Sequence, residues 1–149
     1  MSPLPVRLRM QAQSTALAFA DGRVVVLPVG PQGLVDTALR HDPPPPAELE
    51  RAIDLIEDAL AGSRVADVDR GGLSTADPLL LALPGLGSGS SVLGRDAVEG
   101  LFQRLASRAH GVPVASDELP YGRDIAAALL ILRECMHHLA FDRVTAAPA

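Results

Sequence analysis

An eight-residue apolar run, Ile-Ala-Ala-Ala-Leu-Leu-Ile-Leu at positions 125–132, constrains the fold more than any other segment. In a helix such a run is hydrophobic on every side, so the rest of the chain must enclose it. It is much shorter than the roughly 20 residues that cross a bilayer, and therefore predicts a buried helix rather than a membrane span. Heptad-like apolar spacing extends this central helix over residues 123–141.

The amino-acid composition limits the kinds of protein that this chain can be. A chain of 149 residues with 48% hydrophobic side chains fits one domain, and only 3% of its residues are aromatic. So few rings exclude a stacking surface for single-stranded nucleic acid. The net charge is −5 and all 13 basic residues are arginines, scattered evenly. Such a surface is poorly suited to a duplex backbone or an anionic membrane, so neither partner is expected.

The predicted compartment is the cytoplasm. A single cysteine cannot form an internal disulfide, which favours a reducing environment. The N-terminus lacks the continuous apolar segment of a signal peptide.

The clearest local pattern is a β-hairpin over residues 15–27. β-branched or alternating segments flank Asp21-Gly22, and this dipeptide favours a type I′ turn. Residues 79–83, Leu-Leu-Leu-Ala-Leu, predict a third short strand by their length, although their composition also suits a helix.

Amphipathic periodicity predicts helices at 34–40, 47–61 and from Asp96 to about 110, in addition to the central helix. Asp96 with Glu99 has the form of a capping box, with Asp96 as N-cap. The predicted organisation is an N-terminal arm at 1–13, for which a short edge strand is the alternative, a single domain at 14–143 and a flexible tail at 144–149. The fold class is α+β: a hairpin, with residues 79–83 as an added strand, packed against three main helices with the last one central.

The residue types that bind metals cluster once, at the end of the last helix. On that helix a glutamate and two histidines lie one turn apart, beside the only cysteine. No second cluster supplies further ligands, so we expect no metal and no cofactor. The candidate ligands are Glu134, Cys135, His137 and His138.

A glycine-rich connector between residues 79–83 and the helix at Asp96 occupies the place of a phosphate-binding loop. Its sixth position is serine and no Gly-Lys-Ser/Thr follows, so a plain linker explains it better. Its candidate ligand-binding residues are Gly85, Gly87, Ser88 and Gly89.

No catalytic set is apparent, and we therefore predict a small non-catalytic interaction or assembly module. The alternative is a small metal- or ligand-binding enzyme centred on Glu134, His137 and His138. The apolar faces of three predicted helices, together with the run at 125–132, present more apolar surface than a hairpin can cover. A homodimer through the last two helices is therefore expected, with another protein partner as the alternative.

Overall fold

The computed structural model describes residues 4–63, 71–87, 91–112 and 119–147, which form one mixed sheet and five helices. The strands are β1 (Val6–Met10), β2 (Thr15–Ala18), β3 (Val24–Leu27), β4 (Gly72–Thr75), β5 (Val92–Gly94) and β6 (Arg143–Ala146). The helices are α1 (Pro31–Thr37), α2 (Pro46–Ser63), α3 (Pro78–Leu81), α4 (Arg95–Ala109) and α5 (Arg123–His138). The predicted α+β class is confirmed.

The strand order across the sheet is β3-β2-β1-β4-β6-β5. The three central strands β1, β4 and β6 are parallel, and the flanking strands are antiparallel to their neighbours. Along β1, Val6 and Leu8 are buried while Arg7 and Arg9 are exposed. Since strand side chains alternate between faces, one face of β1 packs on the core and the other is open.

Helix α5 is the centre of the core, as its apolar run predicts. It contacts all four other helices, and Leu129 and Leu132 are completely buried. The helix ends at His138, earlier than the predicted residue 141, because Ala140 adopts a φ of 62° that a right-handed helix cannot continue through. No helix in the described residues is both long and apolar enough to cross a membrane.

The predicted hairpin is present, but its turn differs. Phe19 O accepts a hydrogen bond from Gly22 N at 3.0 Å, Phe19 N donates to Arg23 O at 2.8 Å, and only Gly22 has a positive φ, of 94°. This is a three-residue loop with a type I turn and a left-handed glycine, rather than a two-residue type I′ turn.

Residues 79–83 are not a third strand. Asp77 caps a short helix, α3, by accepting a hydrogen bond from Leu79 N, and Pro78 occupies its first position. This local start signal outweighs the strand-like length of the apolar run.

Residues 1–13, predicted to be an arm or a short edge strand, and the predicted tail at 144–149 also differ from the structure. They contain β1 and most of β6, two of the three central strands. Both segments are short, and they become strands because they pair with β4, which is distant in sequence from each of them.

The predicted capping box at α4 does not form. Gly94 is the N-cap, without a side-chain hydrogen bond. Glu99 instead makes an ion pair with Arg133 of α5 at 2.8 Å, so it joins two helices rather than closing one.

Candidate functional site

A cleft lies where the three parallel strands end. In open sheets with parallel strands, ligands bind in the crevice outside the carboxyl ends of the strands. Here β1 ends at Met10, β4 at Thr75 and β6 at Ala146, and the cleft beside them has a volume of about 430 Å³. Its lining consists of Arg7, Arg9, Met10, Ala76, Asp77, Pro78 and Ala147.

A second pocket of about 290 Å³ shares Met10 and Asp77 with the first. It extends toward the turn between β1 and β2 and the starts of α1 and α5. Its further lining residues are Gln11, Ala12, Pro31, Gln32, Leu79 and Asp124. The two pockets are neighbours along the carboxyl edge of the sheet, with Met10 and Asp77 lining both.

The first pocket has a cationic wall. Arg7 and Arg9 are exposed on the open face of β1, and within the described ranges neither guanidinium forms a hydrogen bond or an ion pair with another residue. Their donors are therefore available to a ligand, and a planar guanidinium matches the oxygens of a phosphate or carboxylate. In a chain with net charge −5, this is a local concentration of positive charge.

Asp77 is held at the junction of the two pockets by a chain of hydrogen bonds. Buried Thr75 donates from Oγ1 to Leu8 O at 3.1 Å and accepts from Asp77 N at 3.1 Å. The Asp77 Oδ1 atom accepts from Leu79 N at 2.9 Å. One carboxylate oxygen thus fixes the side chain, and the other, Oδ2, is left for water or a ligand.

The cluster at the end of α5 forms only in part. His138 Nε2 lies 3.2 Å from Glu134 Oε1 and 3.0 Å from Glu57 Oε2 on α2. Glu57, Glu134 and His138 bring three ligand atoms within 4.8 Å of one another. His137 is outside this group and contacts His138 only edge to face, with ring centroids 5.0 Å apart.

The remaining candidate metal ligand, Cys135, is excluded by its burial. Cys135 is fully buried, and loss of solvation raises the pKa of its thiol to about 12. A thiol protonated at neutral pH is neither a nucleophile nor a ready metal ligand. The residue packs as a small apolar side chain.

Glu134 is the buried carboxylate of this region. Loss of solvation raises its pKa, against the opposing effect of Arg133, whose Nη1 lies 2.8 Å from Glu134 Oε2. Arg133 also pairs with Glu99, and its hydrogen bonds lower the pKa of that carboxyl. The guanidinium stacks 3.8 Å from the centroid of the Phe102 ring, so α4 and α5 are joined by both charge and packing.

Gly85 and Gly87, the described candidates of the glycine-rich connector, do not line either pocket of the cleft. A Cβ at Gly85 would lie 2.9 Å from Leu93 Cδ2, and one at Gly87 would collide with the carbonyl oxygen of Leu81. Gly85 is favoured by its left-handed φ of 86°, and Gly87 by the close approach of the Leu81 backbone. Ser88 and Gly89 lie outside the described residues.

Sequence reasoning missed Arg7, Arg9 and Asp77. The alternation Val-Arg-Leu-Arg-Met marks a strand with arginines on one face, and Asp77-Pro78 is a typical helix start. Their convergence depends on the parallel pairing of β1 with β4, which local patterns do not reveal.

Comparison with known proteins gives structural matches only. No family model and no curated protein matches the sequence. The type II variant of the Aquifex aeolicus Ppx/GppA phosphatase is similar at TM-score 0.72 and 18% identity, over 99% of this chain and 54% of that chain. An A. aeolicus Ppx/GppA family member matches at TM-score 0.71 and 18% identity, over 95% of this chain and 51% of that one. An exopolyphosphatase-like protein matches at TM-score 0.69 and 10% identity, over 97% and 55%.

These matches show that the chain has the fold of the Ppx/GppA enzymes. The chain spans about half the length of the structures it matches. The prediction of a non-catalytic protein-interaction module is therefore wrong, because the fold matches enzymes of a phosphatase family. The alternative enzyme hypothesis fits better, although its predicted centre, with His137, does not form.

Proposed function

We propose that this chain is the phosphoanion-binding part of a phosphatase-like enzyme, and that its substrate binds in the cleft at the carboxyl ends of β1, β4 and β6. The observation that carries the proposal is the pair of arginines, Arg7 and Arg9, with no partner among the described residues, on the wall of that cleft. The similarity of the fold to a phosphatase and to an exopolyphosphatase-like protein supports a phosphate ester or a phosphate chain as the ligand.

The proposed chemistry divides the cleft into two roles. Arg7 and Arg9 bind the non-bridging oxygens of the ligand, since charge-assisted hydrogen bonds from guanidinium are among the strongest in proteins. Asp77 lies between the two pockets. Its Oδ2 accepts a hydrogen bond from the attacking water and orients it toward phosphorus. As the water oxygen bonds to phosphorus, its proton passes to Asp77 Oδ2 and the bond to the leaving oxygen breaks, so that the leaving group departs as a phosphate anion.

Binding is tested by calorimetric titration of the chain with tripolyphosphate. We expect Arg7→Gln and Arg9→Gln each to weaken the affinity about tenfold or more, because a hydrogen bond to a charged group contributes about 1.5–3 kcal/mol. Arg51→Gln is the matched control: it removes the same charge from an exposed position on α2 that lies outside the described pockets. If all three substitutions weaken binding equally, the loss of affinity reflects only the change in net charge, and the proposed site is wrong.

Hydrolysis is tested separately by following orthophosphate release from tripolyphosphate. Asp77→Asn keeps an oxygen that can cap α3, so the fold and the binding affinity should persist. We expect release to fall by about 10²-fold or more, within the range that a positioned proton acceptor contributes. A variant that binds normally and releases phosphate at the wild-type rate would exclude Asp77 from the reaction.

The predicted homodimer and cytoplasmic location stay predictions. The apolar faces of α5 are enclosed within the chain, so self-association would need another surface.

A further inference from the structure

We propose that Glu57, Glu134 and His138 form a binding site for a divalent transition-metal ion such as Zn²⁺, which joins α2 to α5. Two of these residues belong to the cluster that the sequence singled out, and the third comes from a helix distant in sequence. The site is separate from the proposed phosphoanion cleft and does not depend on it.

The spacing of the ligand atoms fits a small tetrahedral ion. Zinc binds imidazole nitrogen and carboxylate oxygen at about 2.0–2.2 Å, which places neighbouring ligand atoms of a tetrahedron about 3.3–3.6 Å apart. His138 Nε2 is 3.0 Å from Glu57 Oε2 and 3.2 Å from Glu134 Oε1. All three ligand atoms lie within 4.8 Å, so only small side-chain adjustments are needed to coordinate an ion.

The central ligand is already fixed. Glu134 is only 2% exposed, and its Oε2 atom is held by Arg133 Nη1 while Oε1 points to His138. A hydrogen-bonded carboxylate of this kind is the usual arrangement of a metal ligand with its outer partner. The Glu57 and His138 side chains are 44% and 38% exposed, which leaves an entry path and room for a water molecule as fourth ligand.

The charges of the cluster also favour a dication. Glu57, Glu99 and Glu134 contribute three negative charges and Arg133 one positive charge, so with a neutral imidazole the group carries a net charge of −2. One divalent ion balances it. The imidazole ligand favours zinc and its neighbours over Mg²⁺ and Ca²⁺, which prefer all-oxygen sites.

The position in the fold assigns the ion a structural role. Asp124, at the start of α5, lines the second pocket, whereas Glu134 and His138 lie at the other end of the helix. At 1.5 Å per residue, the proposed ligands are about 15–21 Å along the helix from that pocket. The bound ion would therefore stabilise the packing of α2 on α5 and leave the cleft unchanged.

The test is equilibrium dialysis of the chelator-treated full chain against Zn²⁺, with elemental analysis of the protein. We expect one equivalent of zinc per chain. Glu57→Gln and His138→Gln should each lower the affinity by at least about tenfold, since even outer partners of metal ligands contribute 10–100-fold. Neither variant alters the buried Glu134, so both should fold.

Each ligand variant has a control variant on the same helix that makes the same kind of chemical change. Asp58→Asn is exposed on α2 beside Glu57, and His137→Gln lies beside His138 on α5; both should bind zinc like the wild type. Zinc should also raise the melting temperature of the wild type and the controls more than that of the two ligand variants. If no zinc binds, or if it binds equally to Glu57→Gln and His138→Gln, the cluster is an ion-pair network only and the proposal fails.

Discussion

Replacing Leu129 with alanine is expected to lower the free energy of unfolding by about 2–5 kcal/mol, the range measured for large-to-small changes in protein cores. Leu129 is completely buried in α5, and that helix contacts α1, α2, α3 and α4. A cavity at this position would therefore be surrounded by several elements. Because all of them are held in place by further contacts, the surroundings can collapse only partly around the missing methyl groups.

Leu4→Ala is the matched control for this prediction. It removes the same atoms from a leucine that is 72% exposed, so its cost should be about 0.5 kcal/mol or less. Leu132→Ala, at a second completely buried position of α5, should resemble Leu129→Ala. Urea denaturation of the variants measures the differences. A loss at Leu129 as small as that at Leu4 would place α5 outside the core and contradict the described packing.

The helices were predictable because their signals are local. The stripe of α2 repeats every three to four residues, and α5 is apolar on all sides, so each segment indicates both its conformation and its buried face. The hairpin was predictable for the same reason, since Asp21-Gly22 lies between two strand-like segments. The alternative turn types share these residues, and the choice between them depends on one extra loop residue.

The parallel strands could not be predicted from local patterns. β4 has the sequence Gly-Leu-Ser-Thr, and all four of its residues are buried, so no alternation of polar and apolar residues marks it. Its partners are β1 and β6, at opposite ends of the chain. Parallel strands are joined by long crossover connections, so a window of ten residues contains no sign of their pairing.

Contacts between segments distant in sequence also explain why the sequence indicated only part of the candidate residues. The cleft joins arginines of β1 to Asp77, across the β1–β4 pairing. The cluster on α5 was half visible, because Glu134 and His138 are one helical turn apart. Its third member, Glu57, comes from α2. Sequence spacing identified the pair on one helix, but it also included His137, which is not among the three residues whose ligand atoms converge.

The turn between β1 and β2 rests directly on Gly30, the residue before α1. A Cβ at this position would lie 2.6 Å from both Ala12 O and Ser14 N, and would also collide with Gln11 O. All of these are backbone atoms, so no side chain can rotate away. Gly33 N donates to Ala12 O at 3.0 Å nearby, which further fixes the turn against α1. Gln11 and Ala12 line the second pocket of the cleft.

Gly30→Ala is therefore expected to destabilise the protein by about 3 kcal/mol, the upper end of the range for overpacking a close-packed site. The displaced turn should also weaken tripolyphosphate binding under conditions in which the variant is still folded. Gly100→Ala is the control with the opposite sign: a methyl in the middle of α4 would meet nothing within 4 Å. It should stabilise the helix by about 0.8–1.0 kcal/mol. Denaturation and calorimetric titration of both variants provide the test, and a Gly30→Ala chain as stable as the wild type would show that the turn is not packed against α1 in this way.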